Sequence, residues 1–374
     1  MLKKKYLIYT ILSFILFFFF NSIAFTFDKN DYFRAITSDR NLKGANLNGS
    51  DLIDADLYYA DLRNADLRNT ILQGADLRGA DLRNADLSDA DLYQANLLNA
   101  KFSGANLTNV NLSGTVLYRI NFRDINLTGS DFYQADLYRA DFRGSKLIDV
   151  DFSKANLTGA NLSETDLTGA DFYETVLVGT KLRGANLKNA DLSNANLSLA
   201  SLSGAHLINA KLNLSKSSYA NLSNAVLINA NLNNSIFKKA KFIKSDLKWA
   251  NLNNASLVGI NLSNGNLVNA KLTGSNLYKA NLYKTNLMNA DLEGADLNMT
   301  CLKKANLTDA NLTDANLSGA NLMGILLTGA KLKGADLRKA KISYKLQSII
   351  SKQHVKNFDS IIWKKEAKIK IQSK

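Results

Sequence analysis

From Leu42 to Ile342 an apolar residue recurs at every fifth position, through Leu47, Leu52, Leu57 and Leu62 and onward, without one insertion or deletion. All 61 of these centres are Leu, Phe or the final Ile, with the single exception of Ser217. Two residues before each centre after the first stands Ala or another small or β-branched residue, and the other three positions are mostly polar or conformationally special. A period of five matches neither the 3.6 of a helix nor the 2.0 of a strand, so an amphipathic helix and a flat sheet are both excluded. The chain must therefore turn every five residues, with two side chains of each five pointing inward. Of the 21 glycines, 20 lie two places after a centre, where Asn is the usual alternative, and only Gly265 falls elsewhere. Gly and Asn tolerate the positive φ that the third position of a type II turn requires.

The pattern stops at both ends. In residues 1–24, Lys3, Lys4 and Lys5 precede an apolar run from Tyr6 to Phe20, and small Ser22 and Ala24 stand at cleavage spacing. This predicts a secretory signal peptide, with an uncleaved membrane anchor as the rival reading; either takes the repeat out of the cytosol. Residues 25–40 fall to an N-terminal cap. In the tail, 343–374, Leu346, Ile349, Ile350, Phe358, Ile361 and Ile362 are spaced by threes and fours, which predicts one or two amphipathic helices forming a lid over the open core. The seven lysines from Lys352 onward also suit contact with an anionic lipid surface.

The segment GADLRGADLRNADLSDADLYQANL, Gly74 to Leu97, resembles the A(D/N)LXX signature of the pentapeptide-repeat family, and the likeness extends over 41–342. The resemblance implies an all-β chain folded as a right-handed quadrilateral β-helix with four pentapeptides per coil. The centre and the preceding small residue would stack inside it. Sixty-one centres then make about fifteen coils, roughly 70 Å long at the spacing of paired strands. Two sets of residues agree with a twenty-residue coil. Phe102, Phe122 and Phe142 form one series, and Phe132, Phe152 and Phe172 form another on the opposite face. Ser217 lies twenty residues before Phe237, so an undersized centre abuts an oversized one and local volume is conserved.

Charge and composition narrow the function. The net charge of +13 is unevenly placed: residues 41–175 hold 12 Lys and Arg against 20 Asp and Glu, whereas 176–342 hold 20 against 8. An overall basic balance is thus a weak argument for nucleic acid. A single Cys excludes an internal disulfide, and with only two His it leaves too few ligands for a zinc cage. His206, His354 and Cys301 form no nucleophile–base pair, and no phosphate loop is present, so neither an enzyme nor a cofactor site is expected. Asp56 with Asp76, and Asp61 with Asp81, should stack across coils, but these aspartates fill a slot whose side chain bonds the nearby turn backbone, so no metal is expected. The Asn-Leu-Ser/Thr sequons, such as Asn106 to Thr108, are generated by the repeat itself.

Two surface clusters stand out. Tyr118 and Arg119 recur as Tyr138 and Arg139, and Arg123 as Arg143, placing a tyrosine pair among four arginines at one corner. Tyr93, Tyr133 and Tyr173 add aromatics on the adjoining face, while Asp131, Asp136 and Asp141 could neutralise the arginines. Lys238, Lys239, Lys241, Lys244, Lys248 and Trp249 form a basic belt around two or three faces. The favoured reading is a noncatalytic exported scaffold that binds protein or a cell-envelope polymer through flat faces. A membrane-associated spacer is one alternative, and a DNA-mimic binder or inhibitor of a nucleic-acid enzyme is a minor second. Relatives that mimic duplex DNA and bind topoisomerases would be cytosolic and acidic throughout; this chain departs on both counts.

Overall fold

A computed structural model describes residues 26–365; the leader read over 1–24 and the last residues of the tail lie outside them. The five-residue turn is visible in its hydrogen bonds. Ala45 N–H donates to the Leu42 carbonyl at 3.0 Å, and Gly44 between them has φ of +68°. The corner residue two places after each centre has positive φ from Gly44 to Lys339, whether or not it is glycine. Because the residue before it does not, the sign pattern is that of a type II turn.

In most of the fives the other backbone donors are also satisfied, as a buried main chain requires. Leu47 N–H bonds forward to Asp66 O at 2.8 Å and Gly49 N–H to Arg68 O at 2.8 Å, while Asp66 N–H bonds back to Ala45 O at 2.9 Å. The remaining donor faces outward and is taken by a side chain, as when Asp66 Oδ1 accepts from Arg68 N–H at 3.2 Å. Asp or Asn fills that slot because a short acceptor two residues back is what this N–H needs. Parallel bridges join residues twenty apart along almost the whole repeat, from Asn41 with Asp61 to Asn321 with Lys341, with a gap between Lys101 and Asn121. Four turns per twenty-residue coil give four faces. We number them by their centres, the first carrying Leu42 and Leu62, the second Leu47, the third Leu52 and the fourth Leu57. So frequent a turn leaves only isolated bridges rather than long strands.

The centres and the small residues preceding them fill the interior, and most are fully buried. Both phenylalanine series stack as ladders. Phe102, Phe122 and Phe142 follow one another at 5.3 and 5.5 Å, and Phe132, Phe152 and Phe172 at 5.1 and 5.3 Å. The two ladders also meet across the core, Phe132 touching Phe142 edge-on at 6.0 Å, so the rings form one zigzag cluster rather than two separate stacks. Ser217 is fully buried, its hydroxyl 3.4 Å from that of Ser215, in the coil beside the buried Phe237.

At the N-terminal end, α1 (Lys29–Ile36) is capped by Asp28, whose carboxylate accepts from Asn30 N–H and Asp31 N–H. It lays Ala35, fully buried, and Tyr32 against the first coil. At the other end the tail differs from the amphipathic helices predicted. A 3₁₀ turn, Tyr344–Leu346, leads into the four-residue α2 (Gln347–Ile350), and the chain then rejoins the coil. β1 (Lys341–Ser343) pairs in parallel with β2 (Ile362–Lys364). The physical reason is the ladder below. The last full coil offers donors such as Lys339 N–H, which Ser360 O accepts at 3.0 Å, and a continuous helix could not present carbonyls to them. The apolar spacing is still used, since Ile350 and Ile361 are buried over the core.

Candidate functional site

The Tyr–Arg cluster is organised by the corner between the fourth and first faces. Tyr118 and Tyr138 occupy equivalent places in adjacent coils and stack with centroids 5.3 Å apart and planes 6° from parallel. Each carries the guanidinium of the following corner residue over its ring, Arg119 at 5.2 Å and Arg139 at 5.1 Å. Such cation–π contacts hold the long side chains in place without neutralising them.

The four arginines do not act alike. Arg143 is forked onto Asp141, with Nη2 2.6 Å from Oδ2, which draws the Asp141 carboxyl below its ordinary range. Asp136 is directed to the backbone, accepting from Tyr138 N–H at 3.2 Å, and Asp131 accepts from Tyr133 N–H at 2.7 Å on the third face. Among the described residues, only Asp141 of the three candidate counter-ions is paired with an arginine of the cluster. Beside the corner lies a shallow basin of about 500 Å³, lined by Arg139, Asp141, Arg143, Asn161 and Lys181 and by Gly159 and Gly179. Without side chains at those two glycines, the three basic groups share an open depression.

The basic belt is less unified. Lys238 lies on the fourth face, Lys239 leans over the Tyr219 ring at 5.7 Å, Lys241 and Lys244 belong to the first face, and Lys248 approaches Asp246 at 3.7 Å on the second. Trp249, exposed at a corner with φ of +56°, ends it. These six residues point in several directions and make no common surface.

The stacked aspartates near the N-terminus are held by arginines. Asp61 is forked by Arg63, and hydrogen bonding to that guanidinium takes it down to about 2; Asp56 is met by Arg40 and Asp76 by Arg78, and both are lowered for the same reason. Their oxygens are thus committed to guanidinium and turn N–H groups. Among the described residues no group of three or more His, Cys, Asp and Glu is arranged to hold a metal ion. His206 and Cys301 sit in bridge positions on different faces, in coils far apart.

One feature was present in the sequence but hidden by the repeat. Asp131, Asp151, Asp171 and Asp191 follow one another down the third face as bridged partners, and only Asp191 has a cation, Lys211 at 3.0 Å. Burial, and then the neighbouring carboxylates, pushes Asp131 and Asp171 above the ordinary range. A carboxyl raised in the folded state favours folding below its unfolded pKa and loses that contribution as pH rises through its folded value. Asp61, Asp66, Asp76 and Asp81, lowered by their arginines, act in the opposite sense further down. The melting temperature should therefore rise modestly on moving from neutral pH toward the raised aspartate range, then fall as the arginine-paired carboxylates protonate. Asp131→Asn with Asp171→Asn should remove the rise and keep the fall, as read by calorimetry across the pH series.

A family model described as pentapeptide repeats matches overlapping segments that together cover residues 41–216 and 220–343. No curated protein matches the chain. Solved structures that resemble it include HetL, a pentapeptide repeat protein involved in heterocyst differentiation regulation in the cyanobacterium Nostoc. It is 35% identical over 59% of this chain and 88% of its own, with a TM-score of 0.29. QnrB1, a plasmid-mediated fluoroquinolone resistance protein, is 19% identical over 49% of this chain and 91% of its own, with a TM-score of 0.34. A pentapeptide repeat protein from the Arabidopsis thaliana thylakoid lumen is 28% identical over 36% and 72%, with a TM-score of 0.15.

Proposed function

The chain belongs to the pentapeptide-repeat family, whose fold is a right-handed β-helix, and from that premise we propose that it is a noncatalytic exported scaffold, a rod of about fifteen coils and roughly 70 Å. Its partner is a protein or an envelope polymer carrying acidic groups. The observation that carries this reading is the Tyr118–Tyr138 stack with Arg119 and Arg139 laid over its rings. Tyrosine and arginine dominate binding hot spots because each brings large area or several donors at low ordering cost. Neither guanidinium is paired to a carboxylate among the described residues, and the adjoining basin leaves Arg139, Arg143 and Lys181 reachable by an acceptor. Export rests on the leader's three lysines and apolar run. Mimicry of duplex DNA is not proposed, because residues 176–342 carry 20 basic against 8 acidic groups.

Cell fractionation with N-terminal sequencing tests the location. A mature terminus near Phe25 outside the cytosol supports export, Met1 in the membrane fraction supports an anchor, and intact soluble cytosolic protein would overturn both. For the site, Tyr118→Ala with Tyr138→Ala should abolish retention of envelope components by the immobilised protein without changing its melt. Retention equal to wild type would rule out this corner.

A further inference from the structure

A second surface, independent of the Tyr–Arg corner, lies on the fourth face between residues 194 and 239. Leu199, Leu214 and Tyr219 there occupy corner positions with φ of 62°, 61° and 61°. A bulky side chain in this left-handed region is strained by roughly 1–2 kcal/mol, a cost that Gly or Asn at the same corner largely avoids. All three are also more than half exposed, so the strain is not offset by burial. Ile236, another exposed apolar residue, stands between the two corner edges in a slot that Asp or Asn normally fills. Lys216, Lys238 and Lys239 surround these residues, and this face carries no Asp or Glu over its three coils. An apolar, cationic surface that costs the monomer stability is what an acidic, partly aromatic partner would cover.

The same chain carries such a surface. The third-face column of Asp131, Asp151, Asp171 and Asp191 is four coils high, and Tyr133 and Tyr173 run beside it. The other charged groups near it are Asp149 and Glu174 at its edges, Lys154, engaged with the Tyr133 hydroxyl at 3.2 Å, and Lys211, which pairs with Asp191 and acts more weakly on Asp171. Asp131, Asp151 and Asp171 are left outside any ion pair on a flat face, at a coil spacing of about 4.8 Å that the cationic patch shares. We propose that the 199–239 patch of one rod docks on the 131–191 aspartate column of a second copy.

The two surfaces lie on adjacent faces at successive heights, so the contact is not self-complementary. Each association leaves one patch and one column open, and the copies grow into short chains instead of closing as a dimer. In sedimentation velocity on the mature protein, average mass should rise progressively up to ~100 µM at low salt and return to monomer near 0.5 M NaCl, where screening is nearly complete. Lys216→Glu/Lys238→Glu/Lys239→Glu should be monomeric. So should Asp131→Asn/Asp151→Asn/Asp171→Asn, which keeps each turn hydrogen bond and removes the charge. Mixed, the two variants should form a one-to-one complex that grows no further, because each retains only one of the two surfaces. A wild type that stays monomeric, stops at a closed dimer, or associates equally well in both variants with unchanged melts would overturn the proposal.

Discussion

Leu157→Asp should destabilise the rod by about 4 kcal/mol or more, combining the loss of a buried leucine with the burial of a carboxyl that has no partner. Leu157 is fully buried on the fourth face, stacked between Leu137 and Leu177. Its main chain is engaged on both sides, N–H to Val176 O at 2.8 Å and O from Ala160 N–H at 2.9 Å. Aspartate there can neither reach water nor leave the column without breaking that ladder. Because each coil touches only its neighbours, the damage should stay local: the melt should broaden or divide, and proteolysis should cut near residue 157 before either arm. Leu157→Met, similar in volume, should cost less than ~1.5 kcal/mol. An aspartate variant whose melt superimposes on wild type would show that the column is not dry.

Phe142→Ala should cost about 3–5 kcal/mol, more than the same change at Phe102. Phe142 meets three rings, Phe122 at 5.5 Å, Phe132 at 6.0 Å and Phe152 at 5.6 Å, whereas Phe102 has Phe122 alone, at 5.3 Å. Each well-placed aromatic pair adds roughly 0.5–1.5 kcal/mol beyond area. Removing Phe142 opens a hole in the middle of the zigzag, where neighbours are fixed above and below. Phe142→Leu restores the usual centre and should recover most of the loss. Denaturant unfolding of the three variants checks the order, and Phe102→Ala proving the costlier alanine would contradict it.

The repeat was legible because one period fixes everything local. Leucine spacing set the inward positions, and Gly and Asn marked the corners. The structure extends the corner geometry to residues such as Leu199, Arg119 and Trp249, which no propensity would place at positive φ. The turns stacked above and below impose it on them. The Tyr118–Tyr138 stack followed from spacing alone; the fates of the arginines did not. Arg143 finds Asp141 because an aspartate two residues back across a turn lies within reach of a guanidinium, whereas Arg119 and Arg139 occupy the corner itself and fold over a ring. Helical spacing in the tail was misleading for a related reason. Its isoleucines serve the core, but its backbone must answer the unpaired groups of the coil beneath, and that demand is invisible in side-chain periodicity.

The uniform five-residue turn also makes orientation along the rod a matter of counting. Inserting twenty residues between Asp191 and Leu197 would move the two halves apart along the axis and leave every surface aligned. Inserting five would rotate all that follows by a quarter turn and carry the 199–239 patch from the fourth face to the first. The angle between any two sites on this molecule is thus quantised by pentapeptide number, so a lineage could reset which surfaces look the same way by duplicating one short segment, with the interior left unaltered.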